Sequence, residues 1–194
     1  MANSASDAGW TEADIRRRLV ESRAVDVMIS IGSNFFYSVT LPVILWFLDK
    51  GKRGTDREDT VLFIDARDFF HQVDRAHRDF LPEQIELLAN IVRLYRHENP
   101  ETTEGSGERM EALFLENRYI DVPGICKVST IAEIEAQGWS LNPRRYTGTA
   151  ITEDNGEDFI EELATLYDDF ARLSDRANTL RETVEGAIQR IINE

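Results

Sequence analysis

The side chains most able to carry out chemistry are three histidines that lie among acidic residues. They are His71, His77 and His97, near Asp65, Asp68 and Asp74. Such side chains bind zinc when several converge at set spacings, and they activate nucleophiles when a serine or cysteine accompanies them. The spacing here fits no standard metal pattern, and no Ser-His-Asp or Cys-His set stands out. We therefore predict neither a metal site nor a catalytic residue in this sequence.

Basic residues in one short turn point to a different chemistry. The turn carries Lys50, Lys52, Arg53 and Arg57. Cationic side chains at a loop tip can reach the phosphates of DNA. Acidic residues at 56, 58 and 59 dilute the positive charge. Two interpretations stay open: Lys50, Lys52 and Arg53 contact the DNA backbone, or the turn is only exposed to solvent.

A second basic group occurs in "LNPRRY", residues 141–146. Arg144 and Arg145 stand beside Tyr146. A basic-aromatic pair of this kind could touch DNA or a partner protein, and the alternative is a structural turn.

Bulk composition limits the class of protein. The chain has 194 residues, a net charge of -14 and 42% hydrophobic residues, which indicates one globular domain or a domain with an extension. The acidic balance argues against DNA binding by the whole surface. A single cysteine forms no internal disulfide, so we expect a cytoplasmic setting. The polar start "MANSASDAG" predicts no signal peptide, and no apolar run is long enough to span a bilayer.

The pattern of apolar residues predicts an α/β fold. Alternation or β-branched runs predict strands at Val25–Ile31, Pro42–Leu48 and Thr60–Ala66. The second strand is apolar on both faces, which predicts a central or covered position. Helical patterns cover Thr11–Ser22, Leu81–His97 and Ser129–Gln137. Asn99–Arg109 is polar and predicts a loop, and Phe35, Phe36 and Tyr37 form a cluster directly before the second strand.

The C-terminal segment carries a regular apolar seam. Its positions step by four and three residues, as in a heptad repeat: Phe159, Leu163, Leu166, Phe170, Leu173, Ala177, Leu180, Val184, Ala187 and Ile191. The seam predicts a long helix that packs against a partner protein. The other interpretations are a hairpin with the 81–97 helix and self-association.

Three pieces of the chain resemble a known family. They are "DIRRRLVESRAVDVMISIGSNFFYSVTLPVILWFLDKGK", "VLFIDARDF" and "YIDVPGICKVSTIAEIEAQGWSLNPRRYTG". In this order they resemble the C-terminal part of the modification (methyltransferase) subunit of type I restriction–modification systems, an N6-adenine DNA methyltransferase family. The resemblance covers nearly the whole chain.

The resemblance implies a fold and an organisation. Residues 1–80 would be the C-terminal portion of a Rossmann-like, S-adenosylmethionine-dependent methyltransferase sheet, with about three strands. Residues 81–150 would form a mainly helical region, and residues 151–194 a long heptad-patterned helix. The family's glycine-rich cofactor turn and its N-P-P-F/Y catalytic motif do not occur in this sequence. We therefore expect the chain to be inactive alone and to bind no S-adenosylmethionine by itself.

The resemblance also assigns a role to the aromatic cluster. A DNA methyltransferase takes its target base out of the helix, and aromatic side chains line the pocket that receives it. Phe36 and Tyr37 match an aromatic box of the family, with Thr40 close behind. The alternative is that Phe35, Phe36 and Tyr37 only fill a gap in the packing. "SIGSNFF" departs from the family's usual Ala-Leu-Pro and Leu at this loop.

Partners follow from the same resemblance. They would be the missing N-terminal methyltransferase half, the specificity subunit and the restriction subunit, with DNA reached through the complex and no membrane. The first hypothesis is therefore part of an enzyme that methylates adenine N6. The second is a non-catalytic docking module for the specificity subunit. A third, an acidic regulator of DNA-binding proteins, rests on net charge alone.

Overall fold

The computed structural model divides the chain into two compact units, residues 1–150 and 151–194. It describes residues 3–7, 11–36, 40–74 and 77–148, and in the second unit four single positions. Those four, Tyr167, Ser174, Ala177 and Arg181, are all helical. Apart from Ala177, which is exposed, the predicted heptad seam lies outside the described residues. The coiled-coil interpretation therefore stays a prediction.

A four-stranded mixed sheet forms the centre of the first unit. Its strands are β1 (Val25–Ile31), β2 (Val43–Leu48), β3 (Thr60–Ala66) and, later in the chain, β6 (Cys126–Thr130), in the order β2-β1-β3-β6. Strand β1 pairs antiparallel with β2 and parallel with β3, and β3 pairs antiparallel with β6. A small second sheet joins β4 (His71–Gln72) to β5 (Arg78–Asp79). The predicted α/β class is confirmed, and the sheet has four strands instead of about three.

Helices cover both faces of the sheet. They are α1 (Thr11–Glu21), α2 (Pro82–Tyr95), α3 (Gly107–Leu113), α4 (Ile131–Ala136) and the single turn α5 (Arg144–Thr147). Helices α2 and α3 pack against one face and α1, α4 and α5 against the other. The predicted helices at 11–22, 81–97 and 129–137 correspond to α1, α2 and α4. Among the described residues no helix is both long and apolar enough to cross a membrane.

The predicted position of the second strand is wrong. Strand β2 lies at the edge of the sheet, and its side chains Leu45, Phe47 and Leu48 are 36%, 44% and 56% exposed. Only Ile44 is buried in this strand. An apolar sequence shows that a strand suits a covered position, but among the described residues β2 pairs with a strand on one side only.

Buried polar groups fix the helices to the sheet. The Asp26 carboxylate in β1 is fully buried and forms ion pairs with Arg57 at 2.7 Å and with Arg96 at 2.6 Å. Burial of an ion pair is tolerated when both charges are hydrogen-bonded. Arg96 follows α2 directly, so this pair ties the end of that helix to the inner strand.

The loop after α2 is held by a buried carboxylate. Glu86 accepts hydrogen bonds from the backbone N–H groups of Glu104 and Ser106. The hydroxyls of Ser106 and Thr103 donate to it as well. Burial alone would raise the pKa of Glu86, but these hydrogen bonds together lower it to about 2. The polar loop predicted at 99–109 is therefore ordered, and its last residues begin α3.

Candidate nucleic-acid interface at the carboxyl edge of the sheet

Three strand ends meet at one edge of the sheet. Ile31 ends β1 and pairs with Val43 at the start of β2 and with Ala66 at the end of β3. We call this end of the sheet, with the described loop residues 32–36 and 40–42 and the segment 142–144, the carboxyl edge. Ligands of open α/β sheets bind outside the carboxyl ends of the strands, so this edge is the expected position of a ligand site.

The loop that leaves β1 is fixed by close backbone contacts. A Cβ atom on Gly32 would lie 2.9 Å from the backbone oxygen of Arg67, so only glycine fits without a shift. Two residues later, the Asn34 carbonyl accepts a hydrogen bond from the Arg78 N–H at 2.9 Å. The loop is thus attached to the end of β3 and to the β4–β5 sheet before its aromatic residues.

The aromatic cluster divides into separate roles. Phe35 packs on Phe80, with ring centroids 4.5 Å apart, as the packing interpretation predicts. Phe36 is 45% exposed and Thr40 is exposed. Tyr37 lies outside the described residues. Phe36 and Thr40 therefore remain available for the predicted base contact.

A charged network lies directly beneath the loop. Asp65 in β3 binds Arg67 through both carboxylate oxygens, at 2.7 and 2.5 Å, and accepts the Ser30 hydroxyl at 2.8 Å. Burial raises the pKa of Asp65, but the hydrogen bonds from Arg67 and Ser30 outweigh it and lower the pKa. Asp65 is therefore an anion at neutral pH, and Arg67 is held rigidly.

A small cavity of about 110 Å³ opens beside this network. It is lined by Ser30, Ile31, Pro42, Val43, Arg67, Asn142 and Arg144. The sequence interpretation included Arg144 but missed Arg67, Asn142 and Ser30. The one available signal for Arg67 was its place just after a predicted strand.

Not all of the cations predicted in the basic turn are exposed to solvent. Lys52 is only 1% exposed, and its Nζ donates to the carbonyls of Val25 and Thr60, each at 2.5 Å. This position corrects the predicted phosphate contact, because the ammonium group satisfies backbone carbonyls inside the protein. Lys50 is exposed, and the exposed Arg53 donates to the Ser22 carbonyl.

The second basic group, Arg144, Arg145 and Tyr146, likewise has one buried and two exposed members. Tyr146 is buried, stacks on Phe63 at 3.9 Å between centroids and donates its hydroxyl to the Ser140 carbonyl. Tyr146 is thus a core residue, which corrects its predicted contact with DNA. Arg145 pairs with Asp7 at 3.1 Å. Arg144 is exposed, lines the carboxyl-edge cavity and forms no ion pair with any described residue.

The histidines pair individually with aspartates. His77 contacts Asp74 and His97 contacts Asp56, both at 2.7 Å. Among the described residues, no group of three or more histidine, cysteine or acidic side chains could hold a metal ion.

Comparison with known proteins shows relatives along nearly the whole chain. The family model "N-6 DNA Methylase" matches residues 1–155. The HindI methylase subunit of a type I restriction enzyme from Haemophilus influenzae is 29% identical over 90% of this chain and 36% of its own length. The MjaIX methylase subunit from Methanocaldococcus jannaschii is 32% identical over 95% of this chain and 30% of its own length.

A solved structure shares the fold. It is the methyltransferase subunit of a type I restriction-modification system from Streptococcus thermophilus, with a TM-score of 0.57 and 23% identity, over 76% of this chain and 25% of that one. The chain thus spans about a third of the length of the curated relatives. The predicted resemblance is confirmed: the chain belongs to the N-6 DNA methylase family and matches part of a type I methylase subunit.

Proposed function

We propose that the chain is the C-terminal part of the methylase subunit of a type I restriction–modification system. In the assembled enzyme a methyl group would pass from S-adenosylmethionine to N6 of adenine in DNA. The chain would supply one side of the sheet, a DNA-facing edge and the helix for assembly. Support comes from the family match over residues 1–155 and from an incomplete surface along β2.

That incomplete surface is the observation on which the proposal depends. Strand β2 exposes Leu45 and Phe47, and both line an apolar groove of about 550 Å³. The groove runs between the sheet and α2, where Phe80, Ile85 and Leu88 form its other wall. Exposed strand edges and large apolar patches mark surfaces that another polypeptide covers. Because the curated relatives carry about twice as much further sequence, we propose that the remaining part of the subunit covers this surface.

The carboxyl-edge cavity does not fit S-adenosylmethionine. At about 110 Å³, it is smaller than the roughly 300–1,000 Å³ typical of small-molecule sites. We therefore assign the cofactor and the methyl-transfer step to the remaining part of the subunit, in line with the absent sequence motifs. The role left to this chain is to position DNA and complete the sheet.

Partners in the proposed complex are the specificity subunit, the restriction subunit and the remaining methyltransferase half. The predicted seam Phe159, Leu163, Leu166, Phe170, Leu173, Leu180, Val184 and Ile191 would bind the specificity subunit. Self-association through the same seam is the alternative for an isolated chain.

The test is reconstitution. The chain is mixed with a polypeptide that carries the glycine-rich turn and the N-P-P-F/Y motif, such as the product of a neighbouring gene, and with the specificity subunit. We expect transfer of a tritiated methyl group to DNA only in the complete mixture. Hydrogen exchange should show residues 43–48 becoming protected when the second polypeptide binds.

A matched pair of variants locates the contact. Phe47→Asp should abolish both methyl transfer and the new protection, because it places a charge in the covered groove. Leu115→Asp changes a side chain that is 75% exposed elsewhere in the unit and should leave both unchanged. Binding and protection without methyl transfer would favour the docking-module hypothesis.

A further inference from the structure

The carboxyl-edge cavity has the composition of an anion site. Its lining includes two guanidinium groups, from Arg67 and Arg144, beside Asn142 and Ser30. The Ser30 hydroxyl donates to Asp65 and the Asn142 side-chain nitrogen donates to Asp7, so the guanidinium groups are the donors left for a ligand. The lining includes no carboxylate. Arginine is the side chain best suited to phosphate, since its planar fork presents several N–H donors at once.

The charges at the cavity are not balanced. Arg67 uses Nε and Nη2 to bind Asp65, which leaves Nη1 without a hydrogen bond to any described residue. Arg144 has no ion-pair partner among the described residues. Asp65 neutralises Arg67, which Asp68 also attracts, so the exposed Arg144 is the positive charge at the cavity mouth that a group carrying one negative charge would neutralise.

One of the two arginines of the cavity is held rigidly. Arg67 is fixed by its bidentate bond to Asp65, and that carboxylate is fixed in turn by Ser30. The Arg144 backbone N–H donates to the Asn142 side-chain oxygen at 3.3 Å, which fixes the backbone of Arg144 and leaves its guanidinium group exposed. Donors fixed in advance lose less conformational entropy when a ligand binds.

We propose that the carboxyl-edge cavity binds one phosphodiester group of the DNA strand that the methylase acts on. The inference rests on the proposed function and adds the part of the substrate that these residues hold. A phosphodiester carries a single negative charge, which matches the unbalanced charge. Pro42 lines the same cavity and ends the loop that carries the exposed Phe36. The predicted base contact, Phe36, thus precedes the cavity residue Pro42 by six residues in the sequence.

The test measures DNA binding by the full chain. Fluorescence anisotropy of a short labelled single-stranded DNA is recorded between about 20 and 200 mM salt. Arg144→Gln should weaken binding about tenfold, as expected for one charge-assisted hydrogen-bonding group. It should also reduce the slope of log affinity against log salt by about 0.7, as for one phosphate contact on a single strand. Arg144→Lys, which keeps the charge and loses the fork, should fall between wild type and Arg144→Gln.

The control is Arg118→Gln. It removes the same charge from an exposed side chain that lies in a different cavity, near the start of β3, and should leave affinity and salt slope unchanged. Equal affinity and slope for wild type and Arg144→Gln would overturn the inference, as would a wild-type chain that binds no DNA at the lowest salt. Displacement of the DNA by inorganic phosphate as readily as by a dinucleotide phosphodiester would assign the cavity to free phosphate instead.

Reconstitution separates this inference from the proposed function. Methyl transfer with the same KM for DNA in wild type and Arg144→Gln would leave the proposed function standing and the phosphate site wrong. DNA binding through Arg144 in a chain that never supports methyl transfer would leave the phosphate site standing and the proposed function wrong.

Discussion

Strands β1 and β2 pair along most of their length, and they differ sharply in their surroundings. Every residue of β1 is buried, whereas Ile44 is the one buried residue of β2. The sequence of β2, "VILWFL", is nevertheless the more apolar of the two. Helices of the described chain cover both faces of β1, and the groove beside β2 remains open. The difference shows that the apolar sequence of a strand indicates that it is buried in the complete protein. It does not indicate which polypeptide buries the strand.

The largest expected effect compares two phenylalanines. Phe63 in the inner strand β3 is fully buried, and Phe47 in β2 is not. Phe63→Ala should lower the free energy of unfolding by about 3–5 kcal/mol, because it leaves a cavity in the core. Phe47→Ala should cost only about 0.5 kcal/mol in the isolated chain. Urea unfolding of both variants measures this, and equal losses would mean that β2 is already covered.

A smaller effect is expected from the charge that fixes β1 to α2. Asp26→Ala leaves Arg57 and Arg96 without their buried partner and should destabilise the chain by about 3 kcal/mol. Arg23→Ala, which breaks the more exposed pairs with Asp59 and Glu58, serves as the control and should cost less than about 1 kcal/mol. Thermal unfolding would contradict the assignment if the two variants lost similar stability.

The smallest effect is a dependence on pH. The pKa of Glu86 falls from an ordinary value near 4.5 to about 2 in the folded chain. A carboxyl group with a lowered folded pKa contributes stability above its unfolded pKa and loses it as the pH falls through the folded value. We therefore expect stability to decline between about pH 4.5 and 2, and Glu86→Gln to reduce this decline. An unchanged acid profile in Glu86→Gln would show that other carboxylates set it.

Much of the fold follows from local pattern. Strands β1 and β3 are predicted with their observed ends, because β-branched residues run between clear turns. Strand β6 is missed, since "CKVST" is short and half polar and closely follows Pro123 and Gly124, which interrupt an extended pattern. Strand β2 is predicted as a strand, but its edge position depends on which polypeptide lies beside it.

The site is less predictable, because it depends on side chains that are far apart in the sequence. Arg67 and Asn142 meet only after β3 and α5 have packed in the first unit. Lys52 lies in a polar turn, so the sequence predicts an exposed cation. Only the fold shows that its ammonium group donates hydrogen bonds to two backbone carbonyls. Tyr146 likewise becomes a core residue by stacking on Phe63.

The open edge of β2 has a consequence for the life of the chain in a cell. A strand with unpaired backbone groups and exposed phenylalanine is a template for aggregation, and chains with uncovered apolar surface are taken up by chaperones and proteases. If a partner polypeptide covers this edge, as proposed above, we expect copies made in excess of that partner to be removed. The abundance of the chain would then follow the supply of its partner, so that subunit ratio is set by quality control as well as by synthesis.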